Sequence, residues 1–260
     1  MATENFLFSI VIVSNTIGAD LDNTIDSVLQ QKFTKFELII KCNDQEISKV
    51  ASKYSSIKNI KFISQADIGI YDAMNQAIDH CVGEFTFFLN VGDEFYDVHS
   101  LNYLQSNSSL KADILYSPYI YRDCIVEYPK KLSRAFFFRN ALCHQSYFIR
   151  TSILQEYRFN LVYMVLADHD LLLKVQQASS VTFEKIDRPL SKLELMGFSA
   201  KNESVKISER KALEREYYSL FEVTFFSILS IISMRGLRNY LLQYNMFFNI
   251  YNRIKTIYFK

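Results

Sequence analysis

Apolar and polar positions along the chain follow two rhythms that alternate. Phe6 to Val13 is apolar but for Ser9, and reads as a first, central strand covered on both faces. Leu21, Ile25, Val28 and Leu29 then recur at helical spacing, and Phe36 to Ile40 is a second short strand. Ile47, Val50, Ala51 and Tyr54 supply another helical face, and Asn59 to Ser64 a third strand. Strands and helices alternating at this spacing predict an α/β fold, with a parallel sheet and right-handed crossovers.

The most informative stretch runs from Asp67 to Asp97. Ile70, Ala73, Met74, Ala77, Ile78 and Cys81 form one apolar helical face, opposite Asp72, Asn75, Gln76 and Asp79. Gly83 is expected to end that helix. Phe85 to Leu89 is a buried strand, broken at Asn90-Val-Gly-Asp93. Open α/β sheets bind ligands at the carboxyl ends of their strands, where a carboxylate suits a hard cation bridging to phosphate. The same tetrapeptide also has the composition of an ordinary turn.

Further along, Leu101 and Leu104 mark a surface helix. Ala112–Tyr121 and Ile125–Tyr128 read as strands around an Arg122-Asp123 turn. Arg134 to Phe138 sets three phenylalanines among Lys130, Lys131, Arg134 and Arg139, and reads as a loop packing its rings or as a basic edge for an anionic acceptor. Tyr147 to Arg150 is a strand. Asp168-His169-Asp170 opens a helix carrying Leu171, Leu172, Leu173 and Val175, where acids also suit the helix dipole. In a helix Asp168 and Asp170 lie about 200° apart, so one atom cannot face both. Val181 to Ile186 is a late strand.

The tail changes the picture. Tyr217 to Met234 holds one charged residue, Glu222, yet helical placement separates Phe221, Phe225, Ile228 and Ile232 from Ser219, Glu222, Ser230 and Ser233. That stripe favours a helix lying on a surface over one crossing a bilayer. Residues 235–260 carry five basic side chains and no acid, interleaved with Tyr and Phe, the composition of an anchor on anionic lipid. A helical cap or a homodimer contact is the other use of such a tail.

At 260 residues the chain can bury a substantial core. A formal charge of +1 gives no global field for nucleic acid. Cys42, Cys81, Cys124 and Cys143 have no metal-site spacing and read as reduced thiols; the start has no secretion signal, so the expected location is the cytoplasmic side.

The phrases Asp67, Gly69–Asn75, Gly83-Glu84 and Leu89–Asp93 resemble the glycosyltransferase family two proteins of bacterial surface-polysaccharide clusters, such as the colanic-acid transferases. Ser27-Val28-Leu29-Gln30-Gln31, Cys143-His144-Gln145 and Ala167-Asp168-His169-Asp170 match further phrases of that family, and Leu190-Ser191 with Gly197-Phe198-Ser199 is similar to its donor-covering segment. The resemblance covers about residues 6–200. It implies a GT-A fold, with a Rossmann-like, mainly parallel sheet flanked by helices over residues 1–200 and a helical extension over 201–260. It also implies a nucleotide-sugar donor, expected to be a UDP-sugar, and Mg²⁺ or Mn²⁺ held by Asp93. By position Asp168 is the general base of an inverting transfer, with Asp170 as the fallback. Ser14, Asn43, Asp44, Asp67, Asp72, Asn75, Asn90 and Gly92 are expected around the donor, and His144 and Gln145 at the acceptor or phosphate. The implied acceptor is a lipid-linked saccharide for capsule, exopolysaccharide or O-antigen, met at the inner-membrane surface.

Two features depart from the family. Lys41-Cys42-Asn43-Asp44 stands where relatives carry an acid pair that reads the base, and Asn90 and Gly92 stand where many carry further acids. A catalytically degenerate scaffold is therefore the non-enzyme alternative. A nucleotidyltransferase is disfavoured, because Val13-Ser-Asn-Thr-Ile-Gly-Ala has one glycine and no cation to cradle a triphosphate.

Overall fold

A computed structural model describes residues 5–43, 47–178, 180–193 and 202–232. The expectations resting on Asp44, on residues 197–199 and on residues 235–260 lie outside the described residues. β1 (Phe8–Ser14) is central and runs parallel to both β2 (Phe36–Cys42) and β4 (Phe85–Asn90), with β3 (Ile60–Ser64) parallel outside β2. α1 (Ala19–Leu29), α2 (Ile47–Lys53) and α3 (Ile70–Ile78) connect them, as the hydrophobic rhythm predicts. The sheet then departs from all-parallel. β9 (Tyr147–Arg150) enters antiparallel between β4 and β6 (Ile114–Tyr116), and β10 (Phe183–Lys185) closes that edge parallel to β6.

Side chains alternate across the strands and both faces are buried. Val11, Val13, Ile39 and Phe88 join a core with α3, α6 (Thr151–Tyr157) and α7 (Ala167–Gln177). Phe8, Ile10, Ile12, Leu38, Ile40 and Phe87 join another with α1, α2 and α4 (Ser100–Asn107). Phe87 stacks on Phe148 with centroids 4.4 Å apart, which fastens the antiparallel strand to its parallel neighbour.

The strand β2 carries two charges into this interior, Glu37 and Lys41, both with 0% exposure. Such charges need partners. Glu37 Oε1 accepts from Ser9 Oγ at 2.7 Å and from the backbone N–H of Val82 at 2.7 Å, while Lys61 Nζ reaches its Oε2 at 2.7 Å. Gly83 completes the cluster through its N–H, 2.9 Å from Ser9 Oγ. A Cβ on Gly83 would stand 2.5 Å from Ser9 N and 2.6 Å from Phe8 C. The helix ends earlier than expected, at Ile78, and Gly83 serves this close crossing over β1 rather than the helix terminus.

A smaller sheet of β5 (Glu94–Phe95), β11 (Ser191–Leu193), β7 (Tyr119–Tyr121) and β8 (Cys124–Val126) covers one end. Its hairpin turns at Arg122-Asp123, both at positive φ (51° and 57°), as a tight two-residue β-turn demands. Arg134 to Phe138 is not a loop: α5 (Arg134–Arg139) begins at Ser133, whose Oγ accepts from Phe136 N at 3.1 Å. Phe137 and Phe138 are buried, and Arg134 and Arg139 pair inside the chain with Glu222 and Glu214.

Those acids belong to α8 (Glu203–Tyr217) and α9 (Leu220–Ile232). Leu213, Tyr217 and Tyr218 share the α7 core, with Val223 and Phe226 packed against it. α9 therefore turns Val223 and Phe226 inward, while Leu220, Phe221, Phe225 and Ile228 are 48% to 88% exposed. Among the described residues no helix is long and apolar enough to cross a membrane.

Candidate active site

The strand register brings the carboxyl ends of β1, β2 and β4 level, with Val13 beside both Lys41 and Asn90. Beyond β4 the chain folds back at Asn90-Val-Gly-Asp93, where Asp93 N donates to Asn90 O at 3.0 Å. Gly92 has φ 92°, the third-position glycine of a type II turn. Thr24 of α1 pins this turn, accepting from Gly92 N and donating to Asp93 O, both at 3.0 Å. Turn chemistry and site chemistry are thus the same feature: the turn places the Asp93 carboxylate, 4% exposed, where Gln145 Nε2 donates to its Oδ2 at 2.8 Å.

Gln145 arrives there because β9 runs antiparallel to β4. Its leading 3-10 turn, His144–Ser146, sits at the carboxyl end of β4, and Ser191 Oγ, on β11, donates to Gln145 O to hold it. His144 faces the other way along the cleft. Its Nδ1 is 3.1 Å from Asp168 Oδ2 and its Nε2 is 3.2 Å from Asn90 Oδ1. Asp168 Oδ1 accepts from the backbone N–H of His169 at 2.8 Å. Two tyrosines wall this carboxylate: Tyr71, whose hydroxyl burial and the Asp168 charge push well above its usual range, and Tyr147, whose buried hydroxyl has no partner among the described residues.

Asp168 and Asp170 separate as the helix geometry requires. Asp170 is wholly buried, accepting from Tyr217 Oη and Lys174 Nζ at 2.7 Å each, so the fallback acid holds α8 against α7 and does not face the cleft. His169 is 2% exposed, and burial lowers its pKa to about 4, keeping it neutral.

At the carboxyl ends of β1 and β2, Ser14 Oγ accepts from Thr16 N at 3.2 Å, and Asn43 N donates to Ser14 O at 3.2 Å. Cys42 is buried and Asn43 exposed, so of these two the amide is the side chain presented outward. Asp67 pairs with the buried Lys41, and its Oδ1 accepts from Gly69 N at 3.2 Å. Asp72 Oδ2 accepts from Ile68 N at 3.0 Å and from Gln76 Nε2 at 3.2 Å. Asn75 departs from its expected place at the donor: its Nδ2 donates to Phe159 O at 2.8 Å and its Oδ1 accepts from Phe159 N at 2.9 Å, so both halves of the amide clasp the segment leading to α7.

Thr24, Lys41 and Glu209 are the participants that sequence reading missed. Thr24 and Lys41 had a signal, being polar residues inside an apolar helical face and an apolar strand. Glu209 had none; its carboxylate accepts from the N–H groups of Met164, Val165 and Leu166 at 2.6, 3.0 and 2.9 Å, holding the approach to Asp168 from the C-terminal helices.

Among the described residues no cluster of three or more His, Cys, Asp or Glu could enclose a metal ion. Asp93 offers a single carboxylate at the turn that Asn90 opens. That suits a hard divalent cation whose remaining ligands come from a substrate diphosphate and water, not an all-protein cage.

The sequence pattern described as Glycosyl transferase family 2 matches residues 9–165, more than half the chain. The chain is similar to a PGL/p-HBAD biosynthesis glycosyltransferase of Mycobacterium bovis, at 30% identity over 63% of this chain and 67% of that one. It is similar in fold to S. aureus TarS 1-349 in complex with UDP-GlcNAc (TM-score 0.59, 14% identity, 75% of this chain and 60% of that one). The mannosyltransferase PcManGT of Pyrobaculum calidifontis, in complex with GDP-Man and Mn2+, aligns over 98% of this chain and 88% of its own (TM-score 0.58, 11% identity). The chain spans about 60% of the TarS fragment, and shares with both structures the mainly parallel sheet flanked by helices. This chain belongs to glycosyl transferase family 2 and has the GT-A fold.

Proposed function

We propose that the chain transfers a sugar, with inversion, from a nucleotide-sugar donor to a lipid-linked saccharide in the synthesis of a bacterial surface polysaccharide. One observation carries this reading. Two consecutive residues, His144 and Gln145, touch Asp168 and Asp93 respectively, which supports a single site for the carboxylate suited to proton abstraction and the carboxylate suited to a metal. Asp168 removes the proton from an acceptor hydroxyl as its oxygen attacks the anomeric carbon; the bond to the diphosphate breaks, and the proton remains on Asp168. Asp93, with Asn90 beside it, would hold Mg²⁺ or Mn²⁺, which supplies neutralisation of the charge developing on the departing nucleotide. Ser14 and Asn43 line the nucleotide end. Asn43 offers both an amide donor and an acceptor to a base, with a UDP-sugar the expected donor.

Residues 1–200 form the catalytic part in this reading, with residues 201–260 as the extension that brings it to the cytoplasmic face of the inner membrane. Support comes from α9, which presents Leu220, Phe221, Phe225 and Ile228 outward just before the basic, aromatic residues 235–260. The test is thermal stabilisation by UDP-, GDP- and dTDP-sugars with and without Mn²⁺, followed by transfer assays. A metal-dependent rise with one nucleotide is expected. Native protein that responds to none of them would overturn the reading.

A further inference from the structure

His144 joins two groups that the proposed reaction uses separately. A neutral imidazole has one N–H and one bare nitrogen, yet both ring nitrogens here face side-chain groups. The Asn90 amide can present either its oxygen or its NH₂ to Nε2. Either way the Nδ1 proton points at Asp168 Oδ2, because a carboxylate is acceptor-only.

The second oxygen of Asp168 is already held by the His169 N–H at 2.8 Å. One donor on each oxygen fixes the plane of the carboxylate and leaves each oxygen a further lone pair for an incoming hydroxyl. The two side chains of this pair are only 12% and 13% exposed, so water competes weakly for the contact. At its other end the ring reaches Asn90, which opens the turn carrying Asp93. Through one ring, the turn that meets the donor and the base that meets the acceptor are mechanically joined.

We propose that His144 is a positioning residue: it orients Asp168 for proton abstraction and ties that orientation to the donor-side turn through Asn90. This rests on Asp168 being the base, and the experiment separates the two. Steady-state kinetics are measured for His144→Ala, Asp168→Asn and the double variant, with donor KM and kcat resolved. His144→Ala should lower kcat about 10- to 100-fold, the usual scale for a misplaced catalytic group, with donor KM changed less than about twofold. In the Asp168→Asn background the same change should cost less than about twofold, because residues acting as one unit are non-additive. His144→Gln, whose amide can still donate to Asp168, should recover part of kcat; it also serves as the cycle variant if the alanine protein does not fold.

Losses that multiply in the double variant, or a raised donor KM with kcat intact, would overturn the proposal. Asp168→Asn with undiminished turnover would instead overturn the assignment of the base, a different and recognisable outcome.

Discussion

Gln145 Nε2 donates to Asp93 Oδ2 at 2.8 Å, so the acid assigned to the metal is held from the 3-10 turn that leads into a strand running against the rest of the sheet. Two variants separate holding from binding. Asp93→Ala should abolish the Mn²⁺-dependent rise in Tm with a nucleotide sugar, measured by scanning fluorimetry. Gln145→Leu should keep that dependence but weaken it, because Asp93 stays in its turn through Thr24 while its carboxylate loses a buried donor, a loss of about 1–3 kcal/mol.

The two acids of α7 should fail in different ways. Asp168→Asn is expected to reduce turnover by about 10²- to 10⁴-fold while donor binding, read by the same thermal shift, persists. Asp170→Ala should instead lower stability by about 3 kcal/mol, since it leaves Tyr217 and Lys174 facing a buried gap. Denaturant melts of both variants check the division.

Gly83 and Glu37 bear on the fold alone. Gly83→Ala forces a Cβ into the β1 backbone and should cost about 1–3 kcal/mol or more. Glu37→Leu removes the acceptor for the Val82 N–H and the partner of Lys61, and the unfolding free energy from urea melts should fall by a similar amount.

His169 makes stability sensitive to mild acid. Its pKa is about 4 in the folded chain, against an ordinary 6.5, mainly because burial disfavours the charged ring. The unfolded chain therefore binds the extra proton between these values, and stability falls as pH drops through that window. The full loss, on the order of 3 kcal/mol, is reached below about pH 4. His169→Phe should flatten this part of a Tm-against-pH curve, if its ring is accepted beside Phe137.

The outward face of α9 should govern attachment without touching the core. Phe221 and Phe225 stack at 6.0 Å and are 78% and 48% exposed, whereas Val223 and Phe226 pack inward. Phe221→Ser with Phe225→Ser should reduce sedimentation with anionic vesicles at an unchanged Tm. A pair of equal losses in binding and Tm would place these rings in the fold instead.

Much of this was legible along the chain. Short, almost wholly apolar runs such as Phe85–Leu89 read as strands buried on both faces, and the helical spacing between them points to a parallel sheet. Asn-x-Gly-Asp at the end of such a strand announces a turn, although Thr24 and Gln145, both distant in sequence, fix how it holds Asp93. Asp168 and Asp170 could be told to face apart, since helical pitch is a local property too.

Tertiary structure decided the rest, because it rests on contacts between distant residues. The pattern of Tyr147–Arg150 is the same for a parallel or an antiparallel strand; only packing between β4 and β6 sets its direction, and that direction delivers His144 and Gln145 to the cleft. Arg134 to Phe138 has no period long enough to be read as a helix, and its arginines find acids 75 and 88 residues away. Which of Asp168 and Asp170 meets the cleft depends on Tyr217 and His144, neither a neighbour in sequence. Local chemistry wrote the strands, the turns and the acids; long-range packing chose which acids face one another.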